Sequence, residues 1–191
     1  TYLLVGGIGT LVGPLSAHNA AEMRRVFSWL QPRLLGLRTS AGFGDRLGSA
    51  TPGHIRAMRK AGGEVAPIFA QQSIRETART GRDAQEILDD AMWGVFSEGW
   101  REGYGADADH LKTPEDIDRC LAAGYTFYTF DPGDHVAAVP AEDAGIRAAW
   151  DALPWEALET TPDDLRGRYA DDVPVEGNTI AFGDGALERA A

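Results

Sequence analysis

The run TPEDIDRCLAAGYTFYTF, residues 113–130, decides the fold class. Thr113-Pro114 sets a hydroxyl before a proline at the first helical position, a favoured helix opening, and Gly124 is the residue type that ends one. Residues 125–130 are threonine and aromatics, which is strand composition. The pattern repeats upstream: Thr51-Pro52, Ile55 and Ala61-Gly62 stand at the spacings of Thr113-Pro114, Ile117 and Ala123-Gly124, and an apolar run at 65–69 follows. Two helices that each feed a strand predict βα units around a parallel sheet. Thr-Pro and Gly are also generic start and stop signals, so convergent capping gives the same spacing.

Outward from these units the alternation continues. Residues 2–5 read as the first strand, with a helix over about 17–30 behind Ser16 as N-cap, and residues 34–37 read as the second strand. An amphipathic helix over about 84–99 carries Ile87, Leu88, Met92, Val95 and Phe96 at helical spacing, and the fourth strand falls within 104–110. After Val139 the composition changes to Pro, Asp, Glu and Trp. That segment reads as a helical, acidic excursion at about 141–173, before residues 179–182 resume a strand-like run.

The chain has 191 residues, 18 Lys plus Arg against 29 Asp plus Glu, and a formal charge of −11. At 43% hydrophobic residues it has material for a core. An acid excess spread along the whole sequence argues against nucleic acid or an anionic membrane as partner, since both need a basic surface. The single cysteine, Cys120, excludes an intramolecular disulfide and a thiolate-only metal site, and suits a reducing cytoplasm. No apolar run is long enough to span a membrane.

In a parallel βα fold the chemistry sits in loops at the carboxyl ends of the strands. Those loops hold Gly42-Phe43-Gly44-Asp45-Arg46, then Gln71, Gln72, Ser73, Arg75 and Glu76, then Asp107, Asp109, His110 and Lys112, and finally Asp131, Asp134 and His135. Carboxylate and imidazole together at Asp107, Asp109 and His110 suit a divalent cation of the Mn, Co, Ni or Zn type, and a carboxylate there can serve as a base. Strand alternation puts Asp107 and Asp109 on one face and His110 on the other unless the backbone turns. An Asp capping the next helix beside an exposed His is the plain alternative. Asp131, Asp134 and His135 form a second ligand set or an ordinary turn. Asp45 with Arg46, and Arg75 with Glu76, read either as binders of a carboxylate or sugar hydroxyls or as internal salt bridges. Gly7, Gly9 and Gly13 give only a weak dinucleotide turn, and no phosphate loop, serine elbow or cysteine pair is present.

Four stretches, GFGDRLG (42–48), ATPGHI (50–55), QSIRE (72–76) and GYGADADHLKT (103–113), together with Phe130-Asp131, make the chain resemble the tagaturonate epimerase family. That family interconverts D-tagaturonate and D-fructuronate in bacterial hexuronate catabolism. The resemblance implies a metal-dependent isomerase on a TIM-like barrel. The expected fold class is therefore α/β, a partial TIM-like (β/α) barrel with about five or six βα units of a larger one, residues 1–191 forming a single incomplete domain. A closed barrel takes about 250 residues. The family's Gly-Ser-Asp-Lys-Phe type segment has no match here, so further metal ligands and an acid partner are expected from sequence outside this chain.

The epimerised carbon is one removed from the carbon next to the ketone, so enolisation alone cannot invert it. Retro-aldol cleavage, rotation of the aldehyde and re-addition can. On that route the resemblance implies Asp109 as base, His110 as metal ligand, and Asp45, Arg46, Gln72, Arg75 and Lys112 on substrate hydroxyls or carboxylate. A metal-dependent aldolase of sugar acids and a non-catalytic sugar-acid-binding fragment stay open as alternatives.

Overall fold

The computed structural model describes residues 1–134, 136, 143–175, 178–182 and 185–190. The chain divides into two units, Thr1–Asp134 and His135–Ala191. In the first, the described elements run β1 (Tyr2–Val5), β2 (Ile8–Leu11), α1 (Ala17–Val26), a 3₁₀ turn (Ser28–Leu30), β3 (Ser40–Gly42), α2 (Thr51–Ala61), β4 (Ala66–Ser73), α3 (Ile74–Thr80), α4 (Ala84–Glu98), β5 (Gly105–Leu111), α5 (Pro114–Ala123) and β6 (Phe127–Phe130). Strands β3, β4, β5 and β6 pair in parallel, in sequence order, as a curled half-barrel sheet.

Two expected strands are corrected. Residues 2–5 form a strand outside this sheet: β1 pairs antiparallel with β2 around Gly6 and Gly7, whose φ values of 58° and 81° make the two-residue turn of a hairpin. Residues 34–37 form no strand. Gly36 at φ 61° turns the chain there, Leu34 and Leu37 are exposed, and the strand that borders β4 begins at Ser40 instead. Apolar composition alone suggested a strand that the glycine breaks.

One face of the sheet is covered by helices. Phe69 and Ala70 of β4, Ala106, Ala108 and Leu111 of β5, and Cys120 and Tyr125 pack with Leu88, Met92 and Val95 of α4 in a single buried cluster. Each large side chain so buried contributes about 1.5–3 kcal/mol. Tyr104, fully buried, donates its hydroxyl to the Leu30 carbonyl at 2.7 Å and ties the segment after α1 to the start of β5.

The Thr-Pro repeat is one of spacing and not of capping. Thr113 is a true N-cap, accepting from the Asp116 amide while the Asp116 carboxylate accepts from Thr113 in return. Thr51 is instead the first residue of α2, 2% exposed, and the N-cap is Ala50. The Thr51 side chain fills the place where α4 crosses: a Cβ added at Gly94 would lie 2.6 Å from the Thr51 Cβ and 3.2 Å from the Pro52 Cδ.

The second unit contains α6 (Asp143–Asp151), α7 (Pro162–Arg168), an antiparallel pair β7 (Val173–Val175) and β8 (Asn178–Ile180), and α8 (Ala186–Ala190). The acidic segment is helical where described, and Trp150, 2% exposed, is its anchor, with the Trp155 ring 4.9 Å away and the Arg166 guanidinium 5.0 Å above it. The strand-like run near 179 belongs to this antiparallel pair and adds no βα unit among the described residues. No helix of the described residues is long and apolar enough to cross a membrane.

Gly94→Ala tests the helix crossing. Helix propensity alone favours Ala by about 1 kcal/mol, but the clash with Thr51 should reverse the sign and destabilise by about 1–3 kcal/mol in urea denaturation.

Candidate active site

Strand β4 has a register irregularity against β5 between Ile68 and Ala70. Phe69 and Ala70 both enter the helix-side core, so Gln71 turns to the open face of the sheet and Gln72 toward the helices. On β5 the alternation is regular up to Asp109: Ala106 and Ala108 are core, Asp107 and Asp109 face the other way. A second irregularity follows between Ala108 and Leu111, and His110 adopts φ 60°. This is the backbone turn that alternation required for Asp109 and His110 to meet. They meet directly, with the His110 Nδ1 2.7 Å from the Asp109 Oδ1.

A row of polar groups crosses the open face. Gln71 lies in register with Asp107 and donates from Nε2 to its Oδ2 at 2.8 Å; Thr129 donates from Oγ1 to its Oδ1 at 2.9 Å. At the other end Gln71 lies over Gly42, where any Cβ would overlap its carboxamide. Asp107 is 3% exposed. Burial pushes its carboxyl above the ordinary carboxylate range, and the two donated hydrogen bonds only partly offset that.

Above this row, at the carboxyl ends of the strands, is a cavity of about 210 Å³. Asp45, Arg46, Gln72, Arg75, Asp109 and His110 all border it, as do Gln71, Ser73 and Glu76. Lys112 does not; its Nζ pairs with Asp134 at 2.7 Å and Asp131 at 3.6 Å. His135 lies outside the described residues.

Several of the expected binders are engaged with the protein itself. The Asp45 carboxylate accepts the backbone N–H groups of Leu47, Gly48 and Ala50 at 3.0, 2.9 and 2.7 Å, which shapes the loop that opens α2. Burial pushes its carboxyl up, but those three bonds and the nearby Arg82 outweigh it and hold it low. The Gln72 carboxamide donates to the Thr80 hydroxyl at 2.8 Å and accepts from Arg82 at 2.7 Å. Arg46 takes the salt-bridge alternative, its Nε 2.9 Å from Glu76, which also holds Arg79 at 2.8 Å. Glu76 is drawn down by Arg46 and Arg79 against the upward push of its burial.

A metal centre is not completed by these residues. Asp109 and His110 supply two donors, a catalytic site of the zinc type takes three from protein, and no cluster of three His, Cys, Asp or Glu exists among the described residues. From the sequence, Gln71 is only one of the strand-end polar groups and Asp107 a candidate metal ligand beside Asp109 and His110; their pairing in the row, and the part of Thr129 in it, are not foreseen. Unbroken alternation from Phe69 would put Gln71 in the core, and only the irregularity in β4 reverses it.

The family model for tagaturonate epimerase matches residues 7–190. The chain belongs to the tagaturonate epimerase family. It is 54% identical over 118 residues to the tagaturonate/fructuronate epimerase of Thermotoga maritima, a match that covers 62% of this chain and 24% of that protein. The native crystal structure of the fructuronate-tagaturonate epimerase from Cohnella laeviribosi is similar with a TM-score of 0.72 at 38% identity, over 92% of this chain and 35% of that one. A glycerol complex of the same Cohnella enzyme gives 0.71 at 38% identity. The chain thus spans about a quarter to a third of the length of these family members.

Asp45→Ala should lower stability by about 2 kcal/mol at neutral pH, because three backbone donors lose their acceptor. The folded-state value of Asp45 lies below its ordinary 3.8. The advantage of the parent is therefore full above that ordinary value and shrinks as pH falls through the depressed one, which urea denaturation at about pH 7 and about pH 3 measures.

Proposed function

We propose that this chain carries part of the active site of an epimerase that interconverts D-tagaturonate and D-fructuronate by retro-aldol cleavage and re-addition. The observation that supports it is the single cavity shared by Asp109, His110, Gln71, Arg46 and Arg75 at the strand ends, in a member of this family. The four parallel strands are one part of the wall of a TIM-like (β/α) barrel in this reading, the rest lying in sequence that the longer relatives possess. The buried thiol of Cys120 fits a cytoplasmic protein.

Asp109 is the base. Its Oδ1 is held by His110, which fixes the carboxylate, while Oδ2 has no partner among the described residues and is left to take the hydroxyl proton at the carbon to be inverted. The bond to the neighbouring carbon then breaks, its electron pair forms an enediolate on the ketone side, and the freed aldehyde turns and is attacked on its other face. Arg46 and Arg75, which border the cavity, are the cations that this chain offers to a sugar-acid carboxylate, whereas Lys112 lies outside that cavity, paired with Asp134 and Asp131. His110 is the proposed ligand of a divalent cation of the Mn, Co, Ni or Zn type, the ligands still needed lying outside the described residues.

Incubation with D-tagaturonate of a full-length enzyme, in which this chain is joined to the part of the barrel that its longer relatives possess, tests this reading. Formation of D-fructuronate, lost to a chelator and restored by one of those cations, is the expected result; two smaller carbonyl compounds would identify an aldolase, and no conversion a binding protein. Asp109→Asn should lower turnover by at least about 100-fold, and near-normal turnover in that variant would overturn the assignment of the base.

A further inference from the structure

We infer that Gln71, rather than its neighbour Gln72, binds a sugar hydroxyl in this site, and that Asp107 is the residue that positions it. The inference rests on the sugar-acid reading above and adds to it a specificity-determining residue. Gln71 and Gln72 are adjacent amides that both border the cavity, yet β4 sends them to opposite faces. The Gln72 carboxamide is engaged at both ends by Thr80 and Arg82, and the residue is 6% exposed. Gln71 is half-buried and is held at one end only.

Its orientation follows from the chemistry of its partner. An ionised carboxylate only accepts, so the end of the Gln71 amide that meets Asp107 has to be the NH₂. Thr129 donates to the second Asp107 oxygen, which keeps that carboxylate from swinging away. Gly42 leaves room for the amide to lie flat across β3. The remaining end, Oε1, accepts no hydrogen bond among the described residues, and it belongs to a side chain that borders the same cavity as Asp109 and His110. A fixed carbonyl-type acceptor in that place matches a hydroxyl donor, and a polyhydroxylated acid is a ligand rich in such donors. Asp107 touches no ligand in this account; it determines which end of Gln71 is presented.

The test is a titration of the ¹⁵N-labelled whole chain with D-fructuronate, following the side-chain amide of Gln71 and the backbone amides of Asp109 and His110. We expect all three to shift saturably with one affinity. Gln71→Ala should weaken that affinity by about three- to tenfold, the equivalent of one hydrogen bond. Asp107→Asn should weaken it comparably: Asn has one acceptor oxygen for two donors, so Gln71 turns its own oxygen inward and presents NH₂ to the ligand. A merely structural row would lower the melting temperature of both variants and leave the affinity unchanged. Shifts at Asp109 and His110 with none at Gln71 would overturn this inference alone, while no shift anywhere would overturn the sugar-acid reading of the chain and this inference with it. If Gln71→Ala loses its dispersed spectrum, the response of the Gln71 amide in the unaltered chain decides.

Discussion

Strand β4 breaks register with β5 between Ile68 and Ala70, and the open face of the sheet takes its orientation from that break. Side chains of a strand alternate, so a one-residue offset moves every following residue to the other face. Here the offset lets Phe69 and Ala70 both join the core, and it places Gln71 on the open face in register with Asp107. Without it, the register set by Ile68 and Gly105 would bring Ala70 beside Asp107, and the hydrogen bond from Gln71 that helps make the Asp107 carboxylate tolerable would be lost. A buried carboxylate without donors is costly to keep charged. The irregularity, the carboxylate and the row from Gly42 to Thr129 therefore form one unit.

The helix side and the open side are coupled through Arg82. Its guanidinium donates to the Asp45 carbonyl at 2.9 Å and the Gln72 oxygen at 2.7 Å, and meets Asp90 of α4 at 2.7 Å. One cation thus joins the loop after β3, strand β4 and helix α4. Asp45 completes the arrangement from the loop side, because its carboxylate takes three amides that precede α2. Side chains that a sequence reader assigns to a ligand are used here to hold the walls of the cavity that would receive it.

How much of this could be read from sequence differs by level. Helices α1, α2, α4 and α5 were expected close to their observed positions, since capping residues, glycine stops and apolar spacing are local signals. The strands were harder. Residues 34–37 are as apolar as a strand and fail at Gly36, whereas Ser40–Gly42 has almost no strand composition and pairs because β4 lies beside it. The meeting of Asp109 with His110 was legible only as a condition, a turn at the strand end. The identity of the inward glutamine was not legible, because a register irregularity arises from pairing between strands and leaves no mark in the local residue pattern.

The charges around the cavity bear on how an anionic substrate could be held. The protein carries a formal charge of −11, so long-range attraction does not bring a sugar acid to it, and recognition has to be local. Three guanidiniums surround Glu76, at 2.8 Å for Arg79, 2.9 Å for Arg46 and 3.9 Å for Arg75. One carboxylate is thus shared by three cations, of which Arg46 and Arg75 border the cavity together with the carboxylates of Asp45 and Asp109. Arg75 is the least committed of the three: its contact with Glu76 is the longest and its side chain is 73% exposed. It can turn to a ligand carboxylate at little loss of existing bonding, while Arg46 would first have to give up a short ion pair. In the proposed reading, the discrimination between an acidic sugar and a neutral one would therefore fall mainly on Arg75, with Glu76 keeping the neighbouring arginines in place.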